Sequence, residues 1–183
     1  MINTNRRAVL AGGALMLAAC DNSVGTTGGA TIDYRVQQTL SYLYQHHPQT
    51  RELAAKSVGK LVMPLIAEAG FIVGGGYGEG ALLIDEVTVD YYSATQASFG
   101  FQIGAQQYAY VLFFLTPEAL QEFRTSPGWA GGAEAEFALD KTGGSLSAAT
   151  DVSGKPVVAV LFAQSGLRVG ATLAGTKYTR ILR

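Results

Sequence analysis

One short phrase recurs three times along the chain: Gly70-Phe71-Ile72-Val73-Gly74-Gly75, Gly100-Phe101-Gln102-Ile103-Gly104-Ala105 and Gly166-Leu167-Arg168-Val169-Gly170-Ala171. Each copy reads glycine, apolar, any residue, β-branched, glycine, small. The copies start 30 and 66 residues apart, and such unequal spacing excludes a solenoid. Glycine inside a strand permits a bulge, a sharp coil or the close approach of another backbone. The phrase therefore predicts a glycine-bent sheet, strongly curved or barrel-like, with the same backbone device in several strands.

The flanking segments supply the rest of the fold. Thr31 caps a predicted helix to about His47, with Ile32, Val36, Leu40 and Leu43 on one apolar face and Pro48 as its stop. A shorter helix is expected from Thr50 to Val58, turning Leu53 and Ala54 inward and ending at Gly59. Leu61 to Met63 reads as a short buried strand before Pro64, followed by one helical turn over Ile66 to Ala69. Ala81–Asp85, Val87–Tyr92, Tyr108–Leu115 and Val157–Phe162 have strand composition. Thr116-Pro117-Glu118 starts a helix with Leu120 and Phe123 inward, stopping before Pro127. Residues 128–153 mix one strand, Ala133–Leu139, with a Gly/Ser/Thr loop. The expected class is α+β: a mostly antiparallel, glycine-bent sheet covered by N-terminal helices.

The first twenty residues belong to a different logic. Arg6 and Arg7 precede an apolar, acid-free run from Ala8 to Ala19, and then comes Cys20, the only cysteine. As a helix that run rises only ~18 Å, too short for a bilayer core of ~30 Å but suited to a secretory signal. Leu17-Ala18-Ala19-Cys20 resembles the bacterial lipobox, so residues 1–19 are expected to be removed and Cys20 to carry diacylglycerol. Two acyl chains satisfy the two-signal requirement for stable anchoring. Arg6-Arg7-Ala8-Val9-Leu10 also resembles a twin-arginine export signal, with Asn5 where that motif has Ser or Thr. Both export routes stay open, as does the choice of inner or outer membrane, although Asp21 resembles an inner-membrane retention signal. Residues 20–30 are Gly/Thr-rich and expected to form a flexible tether of ~18 Å root-mean-square span. Residues 31–183 are expected to form one domain.

Past residue 19 the chain has 11 basic and 14 acidic side chains, which argues against nucleic acid as a partner. One cysteine allows no internal disulfide. Gly76-Tyr77-Gly78-Glu79-Gly80-Ala81 matches a loose dinucleotide fingerprint, but Leu82-Leu83-Ile84 follow where a helix is required. His46 and His47 are adjacent, so on a helix they diverge and do not share a metal; terminal carbonyls are their expected partners. Glu68, Glu79, Asp85 and Glu86 read as surface or turn carboxylates, and no residue set marks a catalytic centre or a cofactor. Tyr91, Tyr92, Phe99, Phe101, Tyr108 and Tyr110 are expected mostly in the core.

Seven blocks in order then form a pattern. They are Lys60–Pro64, Ala69–Gly80, Tyr91–Ser93, Phe99–Gln106, Leu115–Leu120, Gly166–Ala171 and Gly175–Lys177. Together they resemble the SYLF domain, over roughly Val36 to Ile181. The resemblance implies a lipid-binding module; its eukaryotic members bind phosphoinositides and some bind actin, while bacterial members are small envelope lipoproteins. Arg35 is the only basic residue of the helix over 32–47, whereas a polyanionic headgroup wants several cations at about 1 kcal/mol each. Phosphoinositide selectivity and actin binding are therefore not expected. The expectation is a non-enzymatic, lipid-binding lipoprotein facing the periplasm, contacting phospholipid through Lys56, Lys60, Arg168, Lys177 and Arg180. The alternative is a structural lipoprotein that presents a surface to an envelope protein.

Overall fold

The computed structural model describes residues 28–128, 130–131, 135–139, 155–165 and 175–183. The expected signal, Cys20, most of the tether and the third glycine phrase with Arg168 lie outside the described residues. In chain order the elements are α1 (Gly28–His46), α2 (Thr50–Lys56), β1 (Gly59–Ile84), β2 (Val87–Phe114), α3 (Pro117–Thr125), β3 (Ala130–Gly131), β4 (Ala135–Leu139), β5 (Val157–Ser165) and β6 (Thr176–Ile181).

The α+β class holds. Antiparallel pairing joins every strand pair except β4 and β5, which run parallel. The order is β3-β6-β2-β5-β4, with β1 on the other edge of β2. The sheet is thus not closed by a ladder among the described residues, and the barrel-like expectation is not met in that form. β2 organises it: Tyr91–Gln96 pair with β6, and Gln107–Phe114 pair with β5.

Two long strands replace the several short ones expected. Pro64 reads as a strand terminator because it has no N–H to give a ladder. Here the register jumps from Met63↔Tyr110 to Ile66↔Tyr108, so Pro64 and Leu65 together oppose Ala109 alone. The proline occupies a bulge, where no ladder bond is asked of it. The strand continues, and the helical turn expected at Ile66–Ala69 does not form. The first two glycine phrases face each other in this ladder, with Gly70 opposite Gly104. At the far end Asp85 and Glu86, both at positive φ (49° and 63°), make the two-residue turn between Ile84 and Val87.

β1 also doubles back on itself. A Cβ added at Gly78 would lie 2.2 Å from the carbonyl oxygen of Leu65, and one at Gly80 would lie 2.0 Å from that of Val62. The alternation of glycine over 76–80 therefore lets the second half of β1 rest against its first half, a close approach that any side chain would block. This segment is strand throughout, with no helix after it, so the dinucleotide fingerprint has no phosphate-binding context.

The pleat sorts side chains onto two faces. Leu61, Met63, Tyr110, Leu112, Phe114, Ala159 and Leu161 point one way, joining Tyr92, Tyr108, Tyr178 and the α3 residues Leu120 and Phe123. Val62, Leu83, Val111, Phe113, Val160 and Phe162 point the other way, in one buried cluster with Ile32, Val36, Leu40 and Leu43 of α1. The four helix positions are the stripe read from the sequence. Asp33 pins α1 to β2, accepting from Thr88 Oγ1 and Tyr91 Oη, both at 2.8 Å.

Helix boundaries differ slightly from expectation. α1 starts at Gly28, so the end of the expected tether is helical and Thr31 lies inside the helix instead of capping it. The first turn packs closely on β2 at buried Gly29, where a Cβ would meet Tyr91 Oη at 3.1 Å and require that ring to give by a few tenths of an ångström. α2 ends at Lys56, with the Ser57 N–H bonding to the Ala54 carbonyl at 3.2 Å. α3 follows the sequence closely. Thr116 Oγ1 accepts from the Ala119 N–H at 3.3 Å, and Pro117 leads the first turn.

Candidate functional site

The bulge at Pro64 has a consequence on the face of α1. It sets Pro64 and Leu65 beside the helix, and a groove of about 580 Å³ opens between them and Arg35, Gln38, Thr39 and Tyr42. The four helix residues span two turns, each within one turn of the next, because positions 35, 38, 39 and 42 share one side of a 3.6-residue helix. Thr39 is buried, whereas Arg35, Gln38 and Tyr42 are exposed. Tyr42 is held at its far end: its ring stacks on His46 at 4.0 Å between centroids and lies 6.0 Å from the ring of Phe162. His46 Nδ1 in turn lies 2.9 Å from the Tyr42 carbonyl, as expected for a helix-end histidine. Tyr34, 67% exposed, lies on the neighbouring flank of the helix.

The chemistry of the groove is mixed. Proline and leucine give an apolar wall, the amide and two hydroxyls give hydrogen-bonding capacity, and Arg35 gives one guanidinium. Its size lies in the range of small-molecule sites, ~300–1,000 Å³. Such a lining suits a ligand with an anionic or polar head and an apolar continuation. Among the described residues no three His, Cys, Asp or Glu side chains group as metal ligands, and no helix is long and apolar enough to cross a membrane.

The cations expected from the sequence are dispersed. Lys56 is exposed in the last turn of α2. Lys60, expected as a surface contact, is buried at the start of β1, where it pairs with Glu86 and reaches Tyr44 Oη at 3.4 Å. Arg51 stacks over the same ring at 5.0 Å, so the structure gathers these two cations around Tyr44. Lys177 is exposed on β6, and Arg180, three residues on, turns to the opposite face and pairs with Asp90. None of these lines the groove. Its cation is Arg35, and the signal that marks it appears only once the Pro64 bulge is placed next to the helix.

Of the carboxylates read as surface or turn groups, Glu79 pairs with Arg183 and Asp85 and Glu86 form the hairpin turn, but Glu68 is buried. Tyr92, Tyr108 and Tyr110 are core residues as expected, and Tyr91 is half-buried.

No curated protein matches the chain. A family model described as Ysc84, Las17-binding protein actin regulator, matches residues 95–180. That stretch runs from the middle of β2 into β6 and holds the last four of the seven sequence blocks, from Phe99–Gln106 to Gly175–Lys177. The match over residues 95–180 agrees with the resemblance to the SYLF (Ysc84) domain family read from the sequence.

Proposed function

We propose that this protein is a non-enzymatic lipid-binding module of the bacterial cell envelope, anchored through Cys20 and facing the periplasm, that receives the head of an amphiphile in the groove between α1 and β1. The observation that carries the reading is the lining itself: Arg35, Gln38 and Tyr42 on one wall, Pro64 and Leu65 on the other. The groove holds one cation, so it suits a singly charged or zwitterionic headgroup better than a polyanionic one. A short link from Cys20 to α1 keeps the domain beside phospholipid, and weak contacts then suffice because the local lipid concentration is high.

The test is flotation of the mature chain carrying Cys20→Ser, which removes the acylation site, with vesicles of phosphatidylethanolamine alone or with phosphatidylglycerol. Flotation that falls several-fold in Arg35→Gln and in Tyr42→Ala is the expected result. No flotation with either lipid counts against the groove. Mass spectrometry of the protein extracted from membranes checks the anchor separately, as the diacylated mass of a chain beginning at Cys20.

A second reading rests on exposed Val87, Val89 and Leu182, apolar side chains near one end of the sheet. They support a structural lipoprotein that offers this end to an envelope protein. Stoichiometric recovery of one protein from solubilised membranes, lost in Val87→Asp and kept in Arg35→Gln, favours that reading.

A further inference from the structure

A second charged site lies on the opposite face of the sheet, where β6 meets α3, and the groove does not use it. Asp90 of β2 projects into this margin with its side chain only 4% exposed. Arg124, from the last turn of α3, lies 3.4 Å from Asp90 Oδ2, and Arg180 of β6 lies 2.5 Å from Oδ1. Each carboxylate oxygen thus takes one guanidinium. A guanidinium carries five N–H donors, so a single contact leaves most of them unused. Both arginine side chains are open to solvent, Arg124 by 44% and Arg180 by 61%.

The charges do not cancel. One carboxylate against two guanidiniums leaves a local excess of one positive charge, in a chain whose acidic residues outnumber its basic ones. Glu122, two residues before Arg124, is exposed on α3. Tyr92 supplies an independent sign. It is the register partner of Arg180, and its ring packs on Phe123 with centroids 4.8 Å apart. Its hydroxyl is buried and finds no protein partner among the described residues. Burial and then Asp90 push its acidity down, while Arg180 and Arg124 pull the other way, which puts the hydroxyl inside the field of all three groups. Buried polar groups are normally hydrogen-bonded, so this hydroxyl has capacity left for a ligand that the two guanidiniums hold.

We propose that Arg124 and Arg180 form an anion site for a phosphate group, with Asp90 holding the two guanidiniums at a common spacing when the site is empty. Asp90 plays a positioning role: it fixes both forks and competes with the incoming anion for the same donors. Arginine is the residue for this task because its planar fork meets phosphate oxygens two at a time. Free phosphate and a phospholipid headgroup present the same oxygens, and the measurement has one arm for each.

The mature chain carrying Cys20→Ser, free of detergent, is titrated with inorganic phosphate by calorimetry, and with phosphatidylglycerol vesicles by sedimentation. Phosphate binding that weakens with added salt is expected. Arg180→Gln, which leaves the Arg124–Asp90 pair in place, is expected to weaken it about tenfold, since two paired hydrogen bonds to an anion are lost. Asp90→Asn is expected to strengthen binding a few-fold because the competing charge is gone. Arg180→Lys keeps the charge and the ion pair but not the fork, so it falls between wild type and Arg180→Gln. Binding in the phosphate arm identifies a general phosphate site; binding in the vesicle arm alone that falls in Arg180→Gln identifies a headgroup site, and vesicle binding that falls only in Arg35→Gln belongs to the groove and counts against the proposal. Absence of binding in both arms, or binding indifferent to all three substitutions, overturns the proposal. Arg51→Gln, which removes one exposed positive charge outside both sites, is the control and leaves phosphate binding at Arg124 and Arg180 unchanged.

Discussion

The two faces of the sheet are made by the same strands and filled with different chemistry. The face that meets α1 is aliphatic: valine, leucine and isoleucine, with Phe113 and Phe162, lock onto the helix stripe. The other face is aromatic and partly polar. Tyr92, Tyr108, Tyr110 and Tyr178 lie there with Phe114 and Phe123, and their hydroxyls sit inside the protein. An aliphatic interface asks only for volume, whereas a tyrosine interface asks for volume and for hydrogen-bond partners. Tyr108 finds one in Gln96 Oε1 at 2.6 Å, and the rings of Tyr110 and Tyr178 meet edge to face with centroids 6.4 Å apart. One face is therefore a docking surface, and the other an interior that tolerates polarity at fixed points.

The largest effect should come from neither face but from the seam where β1 folds over. Gly80→Val places a Cβ on the Val62 carbonyl, and Gly78→Val does the same at Leu65; both contacts are with backbone, which has no rotamer to change. Loss of soluble, cooperatively folding protein is expected, read by circular dichroism and urea melting. A variant that melts like wild type would show that the two halves of β1 do not touch.

Next in size, Phe123→Ala and Leu40→Ala compare the faces directly. Phe123 sits between three rings, at 4.8 Å from Tyr92, 5.0 Å from Phe114 and 5.8 Å from Tyr178. Its truncation is expected to cost about 3–5 kcal/mol and that of Leu40 about 2–4 kcal/mol, from urea midpoints. Equal losses would mean that the aromatic side packs no more tightly than the aliphatic one.

These faces were unequally legible in the sequence. The α1 stripe, the Thr116-Pro117 helix start and the inward Leu120 and Phe123 follow from periodicity and capping, which are local. The 26- and 28-residue strands do not, because each is broken by residues that read as stops. Pro64 looks like a terminus until its bulge opposite Ala109 is known, and the bulge is a property of the partner strand. The groove inherits that difficulty, since Arg35 and Leu65 are 30 residues apart and meet only through the bulge. Arg180 could be named as a cation, but its pairing with Asp90 depends on the register of β6 against β2. Lys60 carries the same lesson: a lysine in a surface-looking position is buried because Glu86 returns beside it at the hairpin turn.

A smaller effect is expected at the latch of the aliphatic face. Asp33→Ala removes the acceptor of Thr88 and Tyr91 and should cost about 1–3 kcal/mol. Hydrogen exchange should quicken in α1 and stay unchanged in α3. Equal quickening in both helices would mean that the two faces unfold as one unit and that the comparison has no dynamic content.

The smallest effect at neutral pH belongs to Tyr110→Phe, and it separates the faces in another way. The substitution removes a hydroxyl and keeps the ring, so stability near pH 7 should move by no more than about 1 kcal/mol. Alkaline pH should magnify it. Burial pushes Tyr110 well above the ordinary tyrosine value near 10, while burial and then the hydrogen bond to Asp33 push Tyr91 up to about 12. In both cases the folded state favours the neutral phenol, so the stabilisation is complete below pH 10 and is lost as pH rises through the folded values. Urea midpoints of the wild type should therefore fall from pH 10 upward. Tyr110→Phe should flatten that fall more than Tyr91→Phe, because fully buried Tyr110 has no route to water as a phenolate and half-buried Tyr91 does. A steeper loss of alkaline sensitivity in Tyr91→Phe would reverse the assignment and make the helix latch, not the tyrosine interior, the part of the fold most averse to charge.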